Sequence, residues 1–180
     1  MRSGANPPSL KGRALRYLAA REHSRAELER KLTPHLQPEQ GPADLARVLD
    51  ELTAKGFISE ARVAESLVRR RAGRLGGARV LQELRAKGLP DEVVRDAAES
   101  LRATEDERAH AVWARKFGVA PADAAERARQ MRFMASRGFS GASVQRVMRA
   151  ASQGQGHETR ASAMPGFAED APWNEADDGL

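Results

Sequence analysis

Apolar residues recur along most of this chain three and four positions apart, which predicts amphipathic helices, and no stretch carries a strand signal. Ser9 can cap a helix running to about Glu22, with Ala14, Leu15, Leu18 and Ala19 turned inward. Ser24-Arg25-Ala26-Glu27 reads as a capping box opening a helix through Leu28 and Leu32, which must end near Thr33, before Pro34. Residues 34–42 read as a loop, and Pro42 favours the first turn of a helix to Lys55 that carries Leu45, Val48, Leu49 and Leu52. Gly56 stops that helix and Ser59 caps the next, whose stripe is 61, 64, 68 with 63 and 67. It ends in Arg69-Arg70-Arg71 and breaks near Gly73, Gly76 and Gly77, before a helix from Ala78 to Lys87 that Gly88 closes. Pro90 starts another, on Val94, Ala97, Ala98 and Leu101. Thr104 to Glu107 has the form of a second capping box, leading through Val112, Trp113 and Phe117 to Gly118. Pro121 is expected to start a helix with Ala124, Ala128, Met131 and Ala135 on its apolar face, ended by Gly138. Ser140 leads into a last helix with Val144, Val147 and Met148.

A repeat lies beneath these nine helices. ELTAKGF (51–57), ELRAKGL (83–89) and FMASRGF (133–139) share the pattern apolar-x-x-basic-Gly-apolar, each at a corner between helices. The glycine is explained as a helix C-cap with its hydrophobic contact, and the basic residue as a complement to the negative helix end. The expected fold is therefore all-α, an elongated array of three tandem three-helix modules. The expected division is a flexible arm at 1–8, modules at 9–55, 56–101 and 102–151, and a disordered acidic tail at 152–180. The corner spacings are unequal, so the first copy need not mark the same corner of its triplet as the other two.

Composition fits several small cores better than one large one, with 31% charged and 4% aromatic residues in 180. There is no cysteine, which excludes disulfides, thiol nucleophiles and thiolate zinc sites. No apolar run approaches the ~20 residues of a membrane span. The first residues lack the apolar core and cleavage site of a secretory signal, so a cytoplasmic protein is expected. The net charge of +5 hides an asymmetry: residues 151–180 hold one arginine against six acidic side chains, and residues 1–150 hold 29 basic against 19 acidic. A basic body with an acidic tail points to a polyanionic partner, with the tail as its competitor.

Candidate chemistry is sparse. His23, His35, His110 and His157 lie far apart and do not form metal-ligating pairs. Gly73-x-x-Gly76-Gly77 lacks the lysine-serine/threonine ending of a phosphate loop, and the serines at 9, 24, 59 and 140 are explained as helix caps. No enzyme and no cofactor are expected. A binding surface is: Arg62, Arg69, Arg70, Arg71, Arg74 and Arg79 form the densest basic run, followed by Arg85 and Lys87. The arginine fork suits carboxylate and phosphate alike.

The same stretch carries a family signature. Gly56, Phe57, Ile58, Glu60, Ala64, Val68 and Arg71, then Leu84, Lys87, Gly88 and Leu89, resemble the pattern of the RecX family, bacterial regulators of the RecA recombinase. The resemblance extends over roughly residues 10–150. It departs at Ser59, where the family has an acidic residue, and near Val63 and Leu67, where it has aromatics. It implies a monomeric protein that binds in the groove of the RecA–DNA filament and suppresses recombinase and coprotease activity, with roles in DNA repair, recombination and the SOS response. Single- or double-stranded DNA is a further partner under this reading, and a membrane is not. The alternatives are a helix-turn-helix DNA-binding regulator acting without RecA and a helical scaffold that binds no nucleic acid.

Overall fold

The computed structural model describes residues 8–154. The N-terminal arm, save Pro8, and the acidic tail beyond Gly154 lie outside the described residues. The described residues form nine α-helices and one 3-10 turn, without strands: α1 Leu10–Ala20, α2 Arg25–Leu32, the turn Thr33–His35, α3 Pro42–Ala54, α4 Glu60–Arg71, α5 Gly77–Ala86, α6 Asp91–Ala103, α7 Glu105–Lys116, α8 Ala124–Ser136 and α9 Gly141–Gly154.

Three separate apolar cores follow from three amphipathic triplets. Leu28, Leu32, Leu45, Leu49 and Leu52 fill the first, between α1, α2 and α3. Val63, Leu67, Leu84, Leu89 and Val94 fill the second, between α4, α5 and α6. Val112, Trp113, Met134, Val144, Val147 and Met148 fill the third, between α7, α8 and α9. Burying one leucine or valine side chain contributes about 1.5–3 kcal/mol, so a core of this size holds three short helices together.

Local chemistry fixes most boundaries. The Ser24 hydroxyl accepts from the Glu27 N–H at 3.1 Å while the Glu27 carboxylate accepts from the Ser24 N–H at 3.0 Å, a complete capping box. Ser9 and Ser59 cap α1 and α4. All four predicted stop glycines, Gly56, Gly88, Gly118 and Gly138, have φ between 68° and 83°, a region open to glycine and costly for other residues.

The three repeated corners share one hydrogen-bond pattern. The glycine N–H bonds to the carbonyl three residues back, and the next N–H reaches five back, as from Leu89 to Leu84 at 3.4 Å and from Phe139 to Met134 at 3.3 Å. Leu89 and Phe139 are buried, whereas Phe57 is 48% exposed and Ile58 enters the core in its place. The first copy joins α3 to α4, a link between modules, while the others join the second helix of a module to its third.

Five expectations need correction. Thr104 caps nothing, because its hydroxyl accepts from Arg108 Nε at 3.1 Å. α8 starts at Ala124, where Asp123 accepts from the Glu126 N–H at 2.7 Å and so offers a better start than Pro121. The buried face of α8 is Gln130 and Met134, with Ala124 and Ala135 exposed. Ala19 and Ala61 are also exposed. Finally, α9 continues through Ser152 to Gly154, with the Ser152 hydroxyl bonded to the Met148 carbonyl at 3.0 Å.

The modules meet end to end. Ser24 Oγ, at the start of α2, donates to the Lys87 carbonyl at the end of α5, at 2.6 Å. The Gly76 N–H, at the start of α5, donates to the Arg137 carbonyl at the end of α8 at 2.8 Å, and the Ala78 N–H reaches the Gly138 carbonyl at 3.2 Å. At the second joint free N–H groups of one helix thus meet carbonyls at the end of another, as unlike helix ends should, and at the first the capping hydroxyl makes the contact.

Candidate partner-binding surface

The eight basic residues predicted to form the surface divide into pins and exposed groups. Arg62 is a pin. It starts α4, and its Nε reaches the Glu22 carboxylate at 2.9 Å while Nη2 donates to the carbonyls of Gly56 at 2.8 Å and Phe57 at 3.1 Å. Arg71 Nε ties the end of α4 to Glu83 of α5 at 3.0 Å. Lys87 Nζ reaches Glu27 of α2 at 2.7 Å. Arg69 and Arg70 stand exposed in the last turn of α4. Arg79 and Arg85 are exposed on α5, Arg79 within 3.4 Å of Gln82, and Arg74 is exposed in the α4–α5 turn.

Arg71, Arg79 and Lys87 come together with Arg30 along an open groove of about 430 Å³ between α2 and α5, where Glu27 and Glu83 are the acidic members. Burial alone would raise the pKa of Glu27, yet hydrogen bonds from Arg21, Lys87 and the Ser24 N–H outweigh it and hold the carboxyl at about 2. Beside it His23 is 3% exposed, and its Nδ1 sits 3.9 Å from Glu27 Oε2 with no hydrogen-bond partner. Burial, then the charge on Arg21, lowers the pKa of His23 to about 4, so it is neutral near pH 7. Glu60 accepts from the Arg25 N–H at 2.9 Å, and burial raises its pKa. The joint between the first two modules is therefore a set of partly buried charges.

Two features of the chain escape sequence reasoning. Arg108 is half-buried, and its Nη1 donates to the carbonyls of Ala72 at 3.1 Å and Leu75 at 2.8 Å. Its Nη2 donates to the Leu101 carbonyl at 2.8 Å, and burial pushes its pKa below the usual value. A lone arginine three residues into a charged helix start gives no sequence sign of this clamp. The second feature is cationic crowding in the third module, where residues 102–151 hold ten basic against five acidic side chains. That imbalance was countable, but the run at 69–71 is denser and draws the eye. Among the described residues no group of three His, Asp or Glu side chains could hold a metal ion, and no helix is long and apolar enough to cross a membrane.

Three capped triplets, separately cored and joined end to end, define a tandem three-helix repeat protein. Comparison with known proteins finds three three-helix domains in the same order: the first, second and third three-helix domains of RecX match residues 11–36, 59–97 and 104–148, the first match ending before α3. The regulatory protein RecX of Leptothrix cholodnii is 57% identical over 150 residues, covering 83% of this chain and 94% of that protein. That of Ralstonia nicotianae is 50% identical over 145 residues, covering 81% and 89%. The crystal structure of RecX from Lactobacillus salivarius superposes with a TM-score of 0.66 at 20% identity, over 80% of this chain and 95% of that one. A second RecX crystal structure gives 0.64 at 20% identity, over 78% and 71%. The chain belongs to the RecX family of regulatory proteins.

Proposed function

We propose that this chain regulates the RecA recombinase by binding in the groove of the RecA–DNA filament, and so moderates recombination and DNA repair. The observation that carries the reading is membership of the RecX family across all three domains in order. The geometry supports it. Arg69, Arg70, Arg74, Arg79 and Arg85 are exposed on the second module, while Arg62 and Lys87 hold that module to the first and Arg71 ties α4 to α5 within it. Three linked modules give several contacts on one repeating filament, and linked contacts gain by avidity what each lacks in strength.

Co-sedimentation tests this reading. The protein is expected to pellet with RecA filaments assembled on single-stranded DNA at concentrations where neither free RecA nor bare DNA retains it, and to inhibit the filament's ATP hydrolysis and coprotease activity. Sequence-selective duplex binding without any affinity for the filament would replace this reading with that of a helix-turn-helix regulator.

A further inference from the structure

Residues 72–78, which lead from α4 into α5, are bonded largely by the third module and not by their own. The carbonyls of Ala72 and Leu75 accept from Arg108 Nη1 at 3.1 and 2.8 Å, and that of Gly73 accepts from Arg115 Nη2 at 2.9 Å. The N–H groups of Gly76 and Ala78 donate to the carbonyls of Arg137 and Gly138, and the Gly77 N–H donates to Glu105 Oε1 at 3.4 Å. Six backbone groups of one turn thus close on another module, where water or a side-chain cap would ordinarily close them.

Glu105, Arg108 and Arg115 recur at helical spacing, which puts them on one face of α7. Arg108 is the centre of that face. Four of the five N–H groups of its guanidinium are engaged: two on the turn, one on the Leu101 carbonyl near the end of α6 and one on the Thr104 hydroxyl. A half-buried cation so committed has little left to offer a partner directly. Its fork instead fixes the end of α4, the turn and the end of α6 against the start of α7. The first joint is made differently, by the carboxylates of Glu22, Glu27 and Glu60 and the hydroxyl of Ser24.

We propose that Arg108 is a positioning residue for partner binding, which holds the arginine-bearing end of α4 and the third module in one fixed arrangement. It rests on the filament reading above, and it assigns to that reading a residue that does not itself touch the partner. Arg69 and Arg70 stand in the last turn of α4, immediately before the Ala72 carbonyl that Arg108 grips. Modules joined in series meet a repeating partner in register only if they keep their mutual geometry, and contacts ordered beforehand bind more tightly than contacts ordered on binding. Methionine at position 108 has a long side chain and no donor, so it would free the carbonyls of Ala72, Leu75 and Leu101 and let α7 shift on the turn.

The experiment is a double-mutant cycle on the full chain, read by co-sedimentation with RecA filaments on single-stranded DNA. It compares Arg108→Met, Arg69→Ala/Arg70→Ala and the two combined. Arg108→Met should keep the helical content of the wild type by circular dichroism and weaken filament binding at least about fivefold. Arg102→Ala, which removes an exposed charge from the end of α6, should change it less than about twofold. The combined variant should lose less than the product of the two separate losses, because the arginines that Arg108 positions are then already gone. Losses that multiply would show that Arg108 acts without reaching α4 and overturn the assignment. So would unchanged binding by Arg108→Met, or a loss no larger than that of Arg102→Ala. If Arg108→Met does not fold, Arg115→Ala, which gives up only the Gly73 carbonyl, decides the matter in the same cycle. A wild type that fails to pellet removes the filament reading and this one together, whereas a wild type that pellets beside an Arg108 variant that binds equally well removes only this one.

Discussion

Gly76 and Gly138 meet backbone to backbone: a Cβ placed on Gly76 would lie 2.2 Å from the carbonyl carbon and oxygen of Gly138. The contact is made where the end of α8 caps the start of α5, and no side chain fits between the two turns. Gly76 has ordinary backbone angles, so its identity is set by space and not by conformation.

The first expectation concerns that contact. Gly76→Ala should destabilise the protein by about 1–3 kcal/mol or more, because backbone has to move to admit the methyl group. Gly73→Ala is the control, since nothing lies within 4 Å of its added carbon. Thermal unfolding reads the difference, and equal melting temperatures would show that the joint yields freely.

The second is a pH dependence. His23 has a folded pKa of about 4 against an ordinary 6.5, so between these values the unfolded state holds the extra proton. Stability should therefore fall as pH drops through this window, by about 2 kcal/mol between pH 7 and pH 5. Glu27 acts lower down: its folded pKa of about 2 against 4.5 adds a further loss as pH falls through that range. Denaturant unfolding at several pH values checks both, and His23→Gln should flatten the dependence between pH 7 and pH 5 alone.

Arg69 and Arg70 carry the third. Both are exposed, and exposed charges contribute only about 0–1 kcal/mol to the fold. Replacing both with alanine should leave the melting temperature nearly unchanged and weaken filament binding and RecA inhibition together. Leu84→Ala should do the reverse, costing about 2–5 kcal/mol by opening a hole beside α5, with the surviving folded fraction still inhibitory. A double variant that binds filaments as well as the wild type would move the surface off the end of α4.

The fourth concerns charge beyond the described helices. Removing residues 155–180 deletes one arginine and six acidic side chains. Helical content by circular dichroism should stay close to that of the full chain. Oligonucleotide binding at low salt should tighten, because an anionic segment no longer competes for the basic body. Unchanged affinity would show that the segment does not reach it.

The sequence made the frame legible because the frame rests on short-range chemistry. Ser24 and Glu27 lie three residues apart, and a corner glycine answers to its own helix, so both could be read locally. Gln130 could not be. It is fully buried because Oε1 accepts from Trp113 Nε1 at 2.7 Å, and nothing near position 130 announces a tryptophan 17 residues earlier. Lys87 was read as a complement to its own helix end, whereas its ammonium pairs with Glu27, 60 residues away. The candidate surface was legible as composition but not as geometry. Which cations are committed to long-range partners, and which meet across two modules, depends on how the modules dock.

The end-to-end joints also set how each helix start is closed. α5 begins at a glycine with no side chain to cap it, and the carbonyls of Arg137 and Gly138 serve instead. α8 occupies the corresponding place one module later, yet its first turn is closed by its own Asp123, which bonds the Glu126 N–H at 2.7 Å. α2 shows a third arrangement: Ser24 caps its own helix and still donates to the Lys87 carbonyl at 2.6 Å. The same place in the three triplets is thus closed in three ways: by a serine that also meets a neighbour, by a neighbour's carbonyls, and by an aspartate of its own helix.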